Sequence, residues 1–360
     1  MRKLILLIFL LLFIYMVMGT NRGILNEVLE PESIQVYGNE LYVVEGAAIF
    51  VYSLDDLSLI RKFGKKGEGP GELKVLPFWP NSITVWPDYI FAEGLDKFIF
   101  FSKEGKLIKE HKKIKRFMKV LPVWKNFVVK TFPFQGKDQK YYNAIKVLNT
   151  EMEEIKELYR QKVLMLEAEG NITMIPESLN FCVYDNKIFV EESPKGFFIE
   201  IFDCEGKKLY QIDKKYKKIK VTSKYKNLVM DNLKESFKQK KVGVFVPLHI
   251  VEGGWENFKK WAKFIYPDYI PSIRDIVVDN EKIYVQTFNR EDNKEEYVIL
   301  DLKGNTVKKV YLPRIKNSAV FVYQVLGLSL RFYAINNNRF IYLNENEDDE
   351  EWEVHVIAIL

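Results

Sequence analysis

At 360 residues, with 48% hydrophobic, 14% aromatic and 29% charged side chains, the chain can bury a large core, which excludes a disordered or low-complexity protein. Nineteen glycines and 13 prolines exclude collagen-like and linker-like compositions. The formal charge is +5. It falls to +3, 52 basic against 49 acidic residues, once Arg2 and Lys3 of the leader described next are set aside, too balanced to mark a nucleic-acid binder.

Met1-Arg2-Lys3 precedes an unbroken apolar run from Leu4 to Met18, and Gly19 then offers a small residue for cleavage. A positive start, a greasy middle and a small residue at the break describe a secretory signal peptide over residues 1–19. The run is shorter than the roughly 20 residues of a spanning helix, so an uncleaved N-terminal anchor is the alternative. The expected location is therefore periplasmic or extracellular, with membrane contact only through an uncleaved leader. Two cysteines, Cys182 and Cys204, are too few for a disulfide framework in an exported chain, and the fold must stand on packing.

After the leader the chain is a succession of short alternating strands. One phrase, a turn followed by large apolar residues, recurs six times, anchored at Leu41, Ile90, Phe127, Ile188, Ile283 and Ile341. A second phrase, an apolar strand, an Asp/Ser/Asn turn often containing Gly, and another strand, follows the first five; Phe100 to Leu107, Ile201 to Lys207 and Ile299 to Asn305 are examples. Each unit reads as four antiparallel strands, a to d, and such a unit cannot bury both faces alone. Radial packing of six units answers that need. The expectation is an all-β six-bladed β-propeller over residues 22–360, as one domain and a monomer. The sixth unit lacks its fourth strand, and Ile24 to Leu29 is expected to supply it and remove an open sheet edge.

Between the fourth and fifth units, at about 222–271, the period changes from two to about 3.6. Tyr225, Leu228, Val229, Asn232, Leu233 and Phe237 predict a helix behind a Thr222 or Ser223 cap. Trp255 to Ile265 predicts a second helix, ended by Pro267. This helical insertion is read as a cap docked by its apolar face, with a lid that lends Trp255 or a lysine to a ligand as the functional alternative.

The stretch Phe63-Gly64-Lys65-Lys66-Gly67-Glu68-Gly69-Pro70-Gly71-Glu72-Leu73, with Pro80 to Val85, Ile90 to Glu93 and Phe98 to Lys106, resembles an NHL-repeat blade and its linker. The likeness is to exported bacterial six-bladed propellers of the NHL type, with Glu93 where that repeat usually has Asp. It implies six blades and a binding surface, not one chemistry.

Strand alternation places the tight a–b and c–d turns at one end of every blade and the long connections at the other, where binding residues gather. Glu45, Glu93 and Glu192 end b strands there; Arg116 and Arg274 begin a strands; Trp79, Phe134 and Trp255 are the nearby aromatics. These eight are the candidate ligand-binding residues, and their alternative reading is solvated loop charge and blade-to-blade salt bridges. The runs Lys214 to Lys218 and Asn344 to Glu351 read as solvated surface. The three histidines are scattered, with no Cys/His cluster and no Gly-x-Ser-x-Gly motif, so no catalytic residue and no metal ligand is assigned. Ca²⁺, which needs only oxygen ligands, is the one cofactor left open. The functional expectation is a non-catalytic exported binding or scaffold module for a protein, peptide or glycan, without nucleic acid; the alternative is a metal-dependent propeller hydrolase or lyase.

Overall fold

The structure is a computed structural model. It describes residues 21–359 except 76–80, 114–116, 164–169, 175–178, 193–194, 239–249, 251, 316–330 and 347–350. The leader, Trp79 and Arg116 lie outside the described residues. No helix among the described residues is long and apolar enough to cross a membrane.

The chain is mostly β and has a six-bladed β-propeller arrangement, each blade an antiparallel sheet of four strands in the order a to d, with a short fifth strand added in blade 3. Blade 1 is Ser33–Tyr37, Glu40–Glu45, Ala48–Ser53 and Leu59–Phe63; blade 2 is Ser82–Val85, Ile90–Glu93, Lys97–Phe101 and Leu107–Lys112. Blade 3 is Phe117–Val123, Asn126–Thr131, Tyr141–Leu148 and Glu154–Lys162; blade 4 is Leu179–Tyr184, Lys187–Glu192, Phe197–Phe202 and Lys208–Lys214. Blade 5 is Asp275–Asp279, Lys282–Glu291, Lys294–Asp301 and Thr306–Pro313; blade 6 is Tyr333–Asn336, Arg339–Asn346, Glu351–Ala358 and Asn21–Ile24.

The chain divides into two compact units, one of residues 1–94, 99–110 and 331–360, the other of 95–98 and 111–330. In the first unit the a strand of blade 1 packs beside those of blades 2 and 6. Tyr42, Val44, Ile49 and Val51 of blade 1 share a core with Ile83, Ile90, Ala92 and Ile99 of blade 2. In the second, the a strand of blade 4 packs beside those of blades 3 and 5. Phe181, Ile188 and Val190 of blade 4 face blade 3, whereas Cys182, Phe189, Ile199 and Ile201 face blade 5. Side chains alternate across a strand, so a blade buried on both faces needs apolar residues at consecutive positions, and the strands read as near-continuous apolar runs for that reason. Both cysteines are free.

The repeated c–d turn has a common hydrogen-bond pattern. In blades 4 and 5 the Asp203 and Asp301 carboxylates accept backbone N–H groups two and four residues on, at 2.8–3.0 Å. The Gly206 and Gly304 N–H groups donate to the Asp203 and Asp301 carbonyls. Both glycines have positive φ, +83° and +88°. A Cβ added at Gly206 would lie 2.7 Å from Leu158 of blade 3, and one at Gly304 would lie 2.9 Å from Ile212 of blade 4. Gly105 stands in the same way against Phe63 of blade 1. The recurring glycine therefore serves twice, in left-handed backbone and in close approach to the preceding blade.

The sixth blade does take its fourth strand from the N-terminal segment, but from Asn21–Ile24, with Asn21 opposite Val356 and Ile24 opposite Glu353. Sequence reading placed this strand at Ile24 to Leu29. Only the Leu25 N–H continues the pairing, to the Trp352 carbonyl at 2.8 Å, because Leu25 and Val28 turn inwards and are buried.

The glycine-rich linker closes on itself: Lys65–Lys66 pairs in parallel with Glu72–Leu73, and Glu72 accepts the Gly69 N–H and meets Lys65 at 2.7 Å. Arg160 belongs to the d strand of blade 3, and the hairpin of blade 6 stays paired out to Asn346 and Glu351, so part of the run read as solvated surface is strand.

The insertion has its own base and core. Ile219–Lys220 pairs with Tyr269–Ile270, and Asn171–Thr173 pairs in parallel with Lys263–Ile265. Helix α1 (Ser223–Lys238) starts behind Thr222, whose hydroxyl accepts the Tyr225 N–H at 3.3 Å. Helix α2 (Gly254–Trp261) ends before Ile265: Ala262 turns to extended backbone and the Lys263 N–H donates to the Gly170 carbonyl, so 263–265 joins a strand and Ile265 is exposed. Val229, Leu233, Phe237 and Phe258 close the core between the helices with Met174.

Candidate functional site

The b strands of blades 1, 2 and 4 end at Glu45, Glu93 and Glu192, as the spacing implied, but the three carboxylates meet different surroundings. Glu45 accepts the backbone N–H groups of Leu29 (2.8 Å) and Glu30, holding the segment that enters blade 1. Beside it Glu32 is pushed up to about 7, chiefly by burial, with Glu45 and Glu30 adding repulsion. Glu93 is buried.

Glu192 is fully buried and meets the Lys195 ammonium at 2.6 Å. Burial, then a hydrogen bond with Glu200, pushes it up to about 7. At the same end of blade 3, the wholly buried Lys130 ammonium is pulled down to about 8 by desolvation, with Glu191 pulling it back.

Phe134 lies in a short strand paired with Tyr141–Tyr142. The Arg160 guanidinium lies over Phe134 and Tyr142 at 5.4 and 5.6 Å, and the Tyr142 hydroxyl donates to Asp138 at 2.7 Å. These groups line a shallow hollow of about 480 Å³. Trp255 stands edge-on to Phe237 and tilted on Phe258, with ring centres 5.7 and 5.6 Å away, inside the core of the insertion.

Arg274 has the most developed surroundings of the eight. It precedes blade 5, and its N–H donates to the Gln286 carbonyl at 2.8 Å. Its guanidinium binds Glu295, which is only 6% exposed. Arg290 reaches the same Glu295 oxygen at 3.2 Å and Arg314 at 4.0 Å, while Gln286 donates to the other oxygen at 2.5 Å. A bulge permits this arrangement: between Gln286 and Arg290 the b strand takes four steps against two on the c strand, bringing Arg290 opposite Glu295. Arg274 also lies over the Phe288 ring, 5.9 Å from its centre. Tyr225 of α1 is within the field of all four charged groups, and burial raises its hydroxyl pKa. Arg314 is lowered by burial and then by the repulsion of Arg290.

The neighbouring Glu296 points to the other face. It accepts from Tyr216 (2.5 Å), Thr287 (3.0 Å) and Asn289 (3.3 Å), with the Lys309 ammonium 3.5 Å away. Tyr216, in the middle of the run expected to be solvated surface, is thus tied into blade 5 and tilts against Phe197.

The structure therefore gathers Arg274 with Arg290, Arg314 and Glu295, while in the same unit Glu192 meets Lys195 and Phe134 meets Arg160. Arg290, Arg314, Glu295 and Tyr225 were missed. The available signal was Arg290 and Glu295 flanking the Asp292-Asn293 turn, where a hairpin register makes them cross-strand partners. Among the described residues no three His, Cys, Asp or Glu side chains converge in an arrangement able to hold a metal ion.

No protein-family profile matches the chain, and no curated protein matches it. Among solved structures it is similar to a member of the DUF4221 family from Bacteroides vulgatus, at 9% identity over 94% of this chain and 95% of that one, TM-score 0.49. It is also similar to the computationally designed Ika8 protein (9% identity, 95% and 100% covered, TM-score 0.43). A third is the β-propeller domain of Myceliophteria thermophila Cps50 (Swd1), at 8% identity, 94% and 100% covered, TM-score 0.40. The class, a six-bladed β-propeller, rests on the sheets of this chain itself.

Proposed function

We propose that the chain is an exported binding or scaffold module of the NHL-like propeller type, recognising a protein, peptide or glycan through the long-loop ends of its blades. The observation that carries this reading is the insertion between blades 4 and 5. It has its own paired base, its own apolar core and a solvent-facing side bearing Lys234, Lys259 and Lys260. Blades 4 and 5 already have their full complement of strands, so the insertion is chain spent on surface rather than on the repeat.

Arrays of peptides and glycans probed with the purified chain test it. The combined reversal Lys234→Glu, Lys259→Glu and Lys260→Glu should weaken retention of the bound class about tenfold or more. The melting temperature should stay within about 1 °C, since these are exposed positions. The same reversal at the tight-turn residues Lys106, Lys207 and Lys303 should leave retention intact. Loss of binding in the second variant and not the first would place the surface at the wrong end, and no retention by the unaltered chain would end the reading.

A further inference from the structure

The hollow at the long-loop end of blade 3 is built on chain that the four-stranded repeat does not use. Phe134–Gln135 adds a short strand beside Tyr141 and Tyr142, and the turn between them is closed by the Gly136 N–H, which donates to the Lys140 carbonyl at 2.8 Å. Three polar groups on its wall are already held by neighbours in the chain. The Tyr142 hydroxyl donates to Asp138 at 2.7 Å, and this bond holds the Asp138 carboxyl below its ordinary range, as a charged acceptor. The Gln135 amide donates to the Gln139 carbonyl at 3.1 Å. Two of the five N–H groups of Arg160 go to Glu157, at 2.7 and 2.9 Å, which fixes the guanidinium over Phe134 and Tyr142. Gly136 keeps the space open, since a Cβ there would lie 2.9 Å from both the Asp138 carboxylate and the Tyr142 ring.

About 480 Å³ of space thus joins two aromatic rings to a carboxylate, an amide and a guanidinium, with the exposed Lys137 ammonium beside them. Each of those three planar groups presents paired acceptors or donors, which match two neighbouring hydroxyls. A pyranose ring uses both halves of the arrangement: its C–H groups form an apolar face, and its hydroxyls form a rim that donates and accepts. An apolar peptide side chain would use only the rings. We propose that this hollow is a carbohydrate subsite that takes one pyranose ring of a glycan, packed against Phe134 and Tyr142 with its hydroxyls bound by Gln135, Asp138 and Arg160. This inference rests on the binding-module reading and names the class of its ligand.

The test titrates the purified full chain with the methyl glycosides of glucose, galactose, mannose, N-acetylglucosamine and glucuronic acid, followed by ligand-observed NMR. Glycerol, which has hydroxyls and no ring, and N-acetyltyrosinamide, which has a ring and peptide groups, are the controls. At least one glycoside should bind saturably in the millimolar range or below, and neither control should. Phe134→Ala, which removes the apolar wall, should weaken that binding about fivefold or more. If this variant misfolds, two smaller changes carry the test. Asp138→Asn, which keeps the shape and exchanges an acceptor for a donor, and Gly136→Ala, which fills the space between Asp138 and Tyr142, should each weaken binding about fivefold or more. Absence of saturable binding by every glycoside, or equal binding of glycerol, would overturn the proposal. So would binding of N-acetyltyrosinamide in place of the sugars, which assigns the hollow to peptides, or undiminished glycoside binding in the folded variants. The array experiment alters lysines of the insertion and none of this hollow, so either reading can fail while the other stands.

Discussion

The two ends of the blades are built on different rules. At the tight-turn end, Asp203 and Asp301 make the same pair of side-chain hydrogen bonds, Gly206 and Gly304 take the same backbone conformation, and each glycine meets the outer strand of the preceding blade. At the long-loop end three blades differ: a carboxylate receives backbone N–H groups in blade 1, the buried Glu192 meets Lys195 in blade 4, and three guanidiniums approach one carboxylate in blade 5. Blade-to-blade packing depends on the first end, so its chemistry repeats. The second end carries no such shared contact in blades 1, 4 and 5, so its chemistry differs from blade to blade.

The largest test of this contrast is Glu295→Gln. Removing the carboxylate takes the counter-charge from the partly buried Arg290 and Arg314 and one partner from Arg274, and loss of one partner of a buried pair costs about 3–5 kcal/mol. The low end is expected here because Arg290 and Arg314 keep some contact with water. Urea unfolding should show it as a lower midpoint. Glu45→Gln, which weakens only hydrogen bonds to exposed backbone, should cost about 1 kcal/mol. Equal losses would mean that the blade 5 charges are as well solvated as those of blade 1. Gly304→Ala comes next, at about 1–3 kcal/mol, because positive φ and the contact with Ile212 act together. A neutral result there would show that the tight-turn end is not what seats one blade on the next.

Acid chemistry sharpens the same contrast inside blade 4. The folded chain holds the Glu192 proton up to about pH 7, whereas an ordinary carboxyl releases it near 4.5. Between those values the folded state carries more protons than the unfolded one, so stability falls as pH rises through the window and is level above it. Glu200 is shifted down, because its bonds to Glu192 and Lys208 outweigh its own burial, and its contribution lies below pH 4.5. Glu192→Gln keeps a neutral partner for Glu200. The variant should match the unaltered chain near pH 5 and melt about 2 °C or more higher at pH 8. Glu32 adds a slope of the same sign, so part of the dependence survives in this variant. An unchanged slope would mean that Glu192 does not titrate in this window.

Legibility follows the same division. Leu41, Ile90, Phe127, Ile188, Ile283 and Ile341 are all buried on the strands where the repeat placed them, since strand alternation and turn chemistry are local properties. The helix behind Thr222 was legible for that reason too. The cluster around Glu295 was only partly so. Arg274 stands next to a strand boundary and could be found. Arg290 reaches Glu295 through a bulge, and Arg314 lies beyond the d strand with Tyr225 a further element away, so their meeting depends on tertiary geometry. The error at the N-terminal strand has a similar origin: Leu25 and Val28 look like strand residues but are buried by a turn.

The smallest effect tests whether the tight-turn end is generic, and it is expected to stabilise. Blade 3 builds the same c–d turn from Asn149 to Glu153: the Asn149 side chain accepts the Glu153 N–H at 2.8 Å, and the Met152 N–H donates to the Asn149 carbonyl at 3.0 Å. Here the glycine position holds Met152, at φ 65°. A left-handed residue with a Cβ costs about 1 kcal/mol, which Met152→Gly relieves. Greater freedom of glycine in the unfolded chain offsets part of the gain. A net rise of up to about 0.5 kcal/mol is expected by urea unfolding. Blade 1 supplies the contrasting case, because Leu57 at φ 57° also occupies the left-handed region but packs against Gly23 of the strand that completes blade 6. Leu57→Gly relieves the same backbone strain and loses that contact, so it should lower stability where Met152→Gly raises it. If both substitutions move stability in the same direction, backbone conformation alone governs these turns and the contact between Leu57 and the N-terminal strand contributes nothing measurable.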